Sequence, residues 1–344
     1  MIADAILKYV AATLGMAPRR RTISSEPRAG SPRMFVRRAQ EHEHFEWGIM
    51  AILVTGATGN VGRHVVDLLL RAGMDVRATS RNPESLDLPP QVDVRRADLN
   101  DPKTFEQAMQ GVEKVFLYTQ PSGTEGVMEV AKAAGVEHAV LLSSLAAAGR
   151  DPDHWIARWH RAAEDSIERS GLSWTFVRPG PFAANSLQWA GAIKAGEPVR
   201  LLYAHSYLSS IHERDIAEVA TCALLQEGHA GAKYHITGGD SVTQAEQIAL
   251  IGRAIGRDVA FEDLTGDDAR AEFHARIGTR LEELVEEGTI SRTDTPEIIE
   301  TRIRYYVEAL EGPEEIDGTV ERVLGKPART FAEWAADHKA DFAD

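Results

Sequence analysis

Gly56, Gly59 and Gly62 stand three residues apart, directly after the apolar run Ala51-Ile52-Leu53-Val54-Thr55 and before a segment from Val61 to about Ala72 with helical apolar spacing. A strand, a tight turn and a helix in that order turn unpaired helix N–H groups and the positive end of the helix dipole toward an anion. Each glycine has a job if that anion is a pyrophosphate. Gly56 lets the strand turn sharply, Gly59 bares backbone N–H groups and Gly62 lets the helix lie close to the sheet, while Thr58 and Asn60 add side-chain donors. A lone glycine triplet equally suits a plain turn; the flanking strand and helix are the context that dinucleotide binding requires.

The next strand, Met74 to Thr79, closes a βαβ unit and leads into Ser80-Arg81-Asn82. An NAD site usually presents an acid about 20 residues past the loop to hold the ribose 2′-hydroxyl. Here Arg81 occupies that place, and a guanidinium suits a 2′-phosphate, so NADP(H) is expected in preference to NAD(H); the alternative is a solvated arginine at a strand end. Further on, Asp98 follows a strand over Gln91–Arg96 and either meets the adenine amino group or caps the next helix. Lys114–Tyr118 reads as a fourth strand, with Thr119 and Gln120 bordering the nicotinamide ribose.

The elements that would position these residues alternate. A helix from Gly126 to Ala134, a strand from His138 toward Ser143-Ser144 and a sixth strand over Ser173–Arg178 complete an α/β doubly wound parallel sheet of Rossmann type, with ligands at the carboxyl ends of its strands. The domain reading is a dinucleotide-binding core over 49–182 and a substrate lobe over 183–344, interleaved with the last strands. Thr243-Gln244-Ala245-Glu246 and Thr330-Phe331-Ala332-Glu333 fit helix capping boxes. Glu262–Glu287 and the tail from Pro296 read as helices.

The chain has 344 residues and a net charge of −14. Residues 1–48 carry a balance of +3, which leaves −17 for the body and argues against binding nucleic acid. That opening stretch, rich in Arg, Ser and Pro, has no periodicity that could bury a face and reads as a disordered extension or a mis-assigned start, with Met50 directly before the first strand. Cys222 is the only cysteine, so a reducing, cytoplasmic setting is expected, and its surroundings suit a buried apolar role. No apolar run approaches the length of a membrane span, and the twelve histidines show no metal-ligand spacing.

Taken as a set, Thr55–Gly62, Arg81-Asn82-Pro83, Ala97-Asp98-Leu99, Leu142-Ser143-Ser144 and Ser170–Gly180 resemble the NmrA-like, atypical short-chain dehydrogenase/reductase family over roughly residues 50–260. The resemblance implies a dinucleotide lobe and a smaller, mainly helical C-terminal substrate lobe, with Gly56, Thr58, Gly59, Asn60, Val61, Gly62, Arg81, Asp98, Leu99, Thr119, Gln120 and Ser143 on the cofactor. It implies that the segment from Ser209 to Ala217 closes the sheet, with Asp215 structural. It also implies one of two activities: NAD(P)H-dependent reduction of a quinone-like or other conjugated small molecule, or nucleotide sensing without turnover. Pro179-Gly180-Pro181-Phe182 and Asn185 then line the substrate mouth, with Trp189 over it.

The Tyr-x-x-x-Lys pair of short-chain dehydrogenases, in which lysine lowers the tyrosine pKa for proton transfer, is absent. His160 takes up the lysine-like place. It is expected either to donate a proton, to hold the nicotinamide ribose, or merely to pair with Glu164 one turn away at a helix surface.

Overall fold

The computed structural model describes residues 51–118, 121–149, 155–286 and 295–343. Residues 1–48, Thr119 and Gln120 lie outside them. The strands are β1 (Ala51–Thr55), β2 (Val76–Ser80), β3 (Asp93–Arg96), β4 (Val112–Tyr118), β5 (His138–Leu142), β6 (Ser173–Pro179), β7 (Val199–Leu202), β8 (Tyr207–Leu208), β9 (Ala232–Ile236), β10 (Val242–Thr243) and β11 (Phe261–Leu264). The helices through the first lobe are α1 (Gly62–Arg71), α2 (Phe105–Ala108), α3 (Pro121–Ala133) and α4 (Trp155–Ser170). They are followed by α5 (Ala190–Ala195), α6 (Glu213–Leu225), α7 (Gln244–Ile255), α8 (Gly266–Glu286), α9 (Thr295–Glu308), α10 (Thr319–Leu324), α11 (Phe331–Asp337) and α12 (Lys339–Phe342).

Seven strands form one parallel sheet in the order β3-β2-β1-β4-β5-β6-β9. β1 is buried along its whole length because both faces are covered, as a central parallel strand requires. Its alternate side chains feed two cores. Ile52 and Val54 pack with Val65, Leu69, Ile216, Val219 and Leu224, so α1 and α6 cover one face. Ala51 and Leu53 pack with Phe105, Met109, Met128 and Ile167, so α2, α3 and α4 cover the other. A third core, built on Trp189, Ile193, Leu201, Ile248, Phe331 and Trp334, belongs to the C-terminal part.

Two expectations are corrected. The segment before α6 does not close the large sheet: β8 pairs antiparallel with β10, and β9 takes the edge beside β6. The acidic tract opens not as a helix but as β11, which lies parallel to β7. Three of the four β11 residues are exposed, so no alternation marks it in the sequence. Both capping boxes form, on α7 and α11. Asp215 is fully buried and paired with Arg329, a structural role. Cys222 is buried, and burial pushes its thiol up to about 11. Among the described residues, no helix is long and apolar enough to cross a membrane.

Candidate active site

The glycine loop sits at the carboxyl end of β1. Gly56 turns it with φ +61°, a conformation that costs glycine nothing. A Cβ on Gly62 would stand 2.1 Å from the Gly56 carbonyl oxygen, and one on Gly59 3.2 Å from the same atom. The third glycine is therefore required because α1 begins hard against the loop's own backbone, rather than against the sheet. Thr58, Gly59 and Asn60 are exposed, while Val61 is buried beneath them. Val61 caps α1 without a side-chain hydrogen bond, and the first turn holds no acid. The helix N-terminus is thus left open to an external anion, and the cradle fits a dinucleotide's pyrophosphate.

Thr55 locks this loop to the neighbouring strand. Its buried hydroxyl donates to the Phe116 carbonyl at 3.2 Å and accepts the Tyr118 N–H at 3.1 Å. Tyr118 ends β4 and is 41% exposed, yet a Cβ on Gly56 would lie 2.9 Å from its ring. Burial raises the pKa of its phenol, the charge of Arg81 opposes that and the charge of Asp98 adds to it, so all three side chains share one neighbourhood. Sequence reasoning passed over Tyr118, because only the juxtaposition of β1, β2 and β4 ends brings it beside Arg81. Arg81 itself is exposed just past β2, where the Ser80 hydroxyl accepts the Asn82 N–H at 3.0 Å and fixes the turn.

Asp98 is engaged locally: its carboxylate accepts the Asn100 N–H at 3.0 Å and its own N–H donates to the Thr104 hydroxyl at 2.9 Å. The capping role is corrected: the next helical turn, Pro102–Thr104, is capped by Asp101 with no side-chain hydrogen bond, and the Asp98 carboxylate closes the turn before it instead. Leu99 is buried, and a Cβ on Gly123 would fall 1.6 Å from the Leu99 carbonyl oxygen, so α3 starts in contact with this loop.

At the carboxyl ends of β5 and β6 the polar side chains form one buried network. Ser143 is buried and its hydroxyl donates to Glu164 at 2.5 Å, so it faces α4. Glu164 is only 2% exposed and also receives Arg178 Nε at 2.8 Å, with the second carboxylate oxygen taken by Arg178 Nη2. The surface setting expected for His160 and Glu164 is corrected, because Glu164 is an interior residue bound to Ser143 and Arg178, and its charge acts on His160 from there. His160 is half-buried, and burial lowers its pKa to about 4, with Glu164 opposing and Arg178 reinforcing the shift. At neutral pH it is an uncharged imidazole with no extra proton to give. Arg161 donates to the Ala147 carbonyl at 2.9 Å and to Gly149, which fastens the loop after β5 to α4.

Beyond β6, Phe182 and Asn185 line a cleft together with Tyr305 and Tyr306 of α9. Trp189, 5% exposed, lines the same cleft. The space among these side chains is about 30 Å³.

Residues 56–227 match the NAD(P)H-binding family. The chain is 37% identical to a (4-alkanoyl-5-oxo-2,5-dihydrofuran-3-yl)methyl phosphate reductase of Streptomyces griseus, over 85% of this chain and 99% of that one. It is 34% identical to an NAD(P)H azoreductase of Xenophilus azovorans, again over 85% and 99%. Among solved structures, a quinone oxidoreductase of Escherichia coli described as NADPH-dependent superposes with a TM-score of 0.65 at 26% identity, covering 83% of this chain and 98% of that one. The chain belongs to the NmrA-like, NAD(P)H-binding family, and its likeness to these named reductases along nearly their whole length makes it an NAD(P)H-dependent oxidoreductase.

Proposed function

We propose that the protein uses NADPH in preference to NADH to reduce a quinone-like or otherwise conjugated small molecule. The observation that carries this reading is the open, acid-free N-terminus of α1 at the carboxyl edge of the sheet, next to Arg81 and Tyr118. The pyrophosphate is held by the loop from Gly56 to Gly62, and Arg81 pairs the 2′-phosphate by charge-assisted hydrogen bonds. Tyr118 supplies a ring wall for the adenosine half. When bound, the nucleotide supplies hydride.

The residues that remain do the positioning. The Ser143–Glu164–Arg178 network holds α4 and the ends of β5 and β6 in register, and His160 offers a neutral ring on that framework. With no acidic phenol or imidazolium, the site suits an acceptor that takes hydride at an electron-poor centre and collects its proton from water. Quinones, azo compounds and unsaturated lactones have that character; the relatives named above reduce members of these classes. Such an acceptor reaches the cleft lined by Phe182, Asn185, Tyr305 and Tyr306, and α9 moves to admit it.

NADPH consumption is to be followed with a panel of quinones, azo dyes and unsaturated lactones, with simple ketones for comparison. Turnover of conjugated acceptors and not of ketones supports the reading. Tight NADPH binding without turnover of any of them would instead mark a nucleotide sensor.

A further inference from the structure

The cleft beside Phe182 and Asn185 has a single charged side chain in its wall, Arg302 of α9. Its guanidinium carbon lies 5.9 Å from the ring centroid of Tyr305 and 5.8 Å from that of Tyr306. Among the described residues, no carboxylate stands within ion-pair distance of it. The acid bonded to the same wall, Glu314, is already engaged: it accepts the Ser209 N–H at 2.9 Å, the Ser209 hydroxyl, and the Tyr305 hydroxyl at 3.3 Å. Other arginines at this end of the chain do find acids, as Arg270 does with Glu300 and Arg276 with Glu272.

A half-buried cation with none of the described carboxylates at ion-pair distance is unexpected in a chain whose net charge is −14. The two tyrosine faces hold the guanidinium without consuming its planar donor edge, and such stacking pre-organises it for a planar or tetrahedral anion. Among the described residues, the rest of the lining is apolar, aromatic, hydroxyl or amide, and the acid behind it, Glu314, has its carboxylate taken up by Ser209 and Tyr305.

We propose that Arg302 forms an anion subsite in this cleft, and that the physiological acceptor carries a carboxylate, sulfonate or phosphate beside its reducible group. The inference depends on the reading above that the cleft receives the acceptor. The anion lies against Arg302 on the α9 side, which leaves the conjugated part of the molecule between Phe182 and the tyrosines.

The test compares matched acceptors: naphthoquinone with and without a sulfonate, naphthoquinone with and without a carboxylate, and an unsaturated lactone alcohol with its phosphate ester. The readout is the ratio of kcat/KM for the charged member to that for the neutral member, in wild type, R302Q and R302K. A hydrogen bond to a charged group is worth about tenfold or more, so R302Q should lower the ratio by about that factor while R302K retains part of it. The pair with the largest loss identifies the anion. A ratio that R302Q leaves unchanged overturns the subsite. If no acceptor is turned over, the reductase reading fails, and calorimetry on the NADP⁺-loaded protein still decides the subsite. Wild type should then bind naphthalene sulfonate more tightly than R302Q does, and equal binding, or none, overturns it.

Discussion

Arg178 and Glu164 form a two-pronged ion pair in the interior, with Nε–Oε1 at 2.8 Å and side chains only 9% and 3% exposed. The pair joins the end of β6 to the middle of α4, Ser143 adds the end of β5, and His235 Nε2 stands 3.3 Å from Arg178 Nη1 on β9. Three adjacent strand ends and one helix are thus tied at the carboxyl edge of the sheet.

Removing one partner leaves the other charge buried and unpaired. Glu164→Gln or Arg178→Met should each cost about 3–5 kcal/mol of stability in chemical denaturation, whereas Glu164→Leu combined with Arg178→Met should recover much of it. A loss below about 1 kcal/mol for both single variants would mean that the pair is not held as described.

Arg81 should decide the nucleotide. Wild type is expected to bind NADPH at least about tenfold more tightly than NADH, and Arg81→Ala should remove most of that preference while leaving NADH binding nearly intact. Fluorescence titration of both nucleotides checks this. A preference that survives the substitution would leave Arg81 a solvated strand-end residue.

A pH dependence is built into the docking of the last helices. His338 donates to buried Glu213 at 2.7 Å and stacks on Trp334, whose indole N–H also meets Glu213 at 3.1 Å. Burial works against a charged His338, but its hydrogen bonds to Glu213 and Asp341 outweigh that and raise its pKa above the ordinary 6.5. Burial likewise opposes ionised Glu213, and the hydrogen bonds from His212 and His338 overcome it and hold it well below the ordinary carboxylate range.

The raised histidine stabilises fully below its unfolded pKa and loses its contribution as pH climbs through the folded value. The depressed Glu213 stabilises above its unfolded pKa and loses its contribution only in strong acid. His338→Ala should therefore lower the melting temperature more at about pH 5.5 than at about pH 8.5. An equal loss at both values would show that His338 is uncharged in the folded protein.

The large sheet was legible because buried parallel strands are continuous apolar runs, as at Ala51–Thr55 and His138–Leu142. The glycine loop was legible for a different reason: its backbone constraints admit only one residue type. β11 was hidden because Phe261-Glu262-Asp263-Leu264 is a mostly exposed edge strand in an acidic tract. Tyr118 and Arg302 escaped notice because their surroundings come from distant segments, Gly56 for one and the wall at Phe182 for the other. His160 was found by position, but burial sets its charge, and burial is a property of the packed fold.

The most direct test of the account is an anaerobic single turnover in which NADPH-loaded protein is mixed with a quinone and nicotinamide absorbance is followed alongside quinone reduction. The account predicts that one NADPH is oxidised for each quinone reduced, and that Gly62→Ala, whose Cβ would meet the Gly56 carbonyl oxygen, loses NADPH affinity and the reaction with it. NADPH that stays bound and unoxidised with every conjugated acceptor would contradict it.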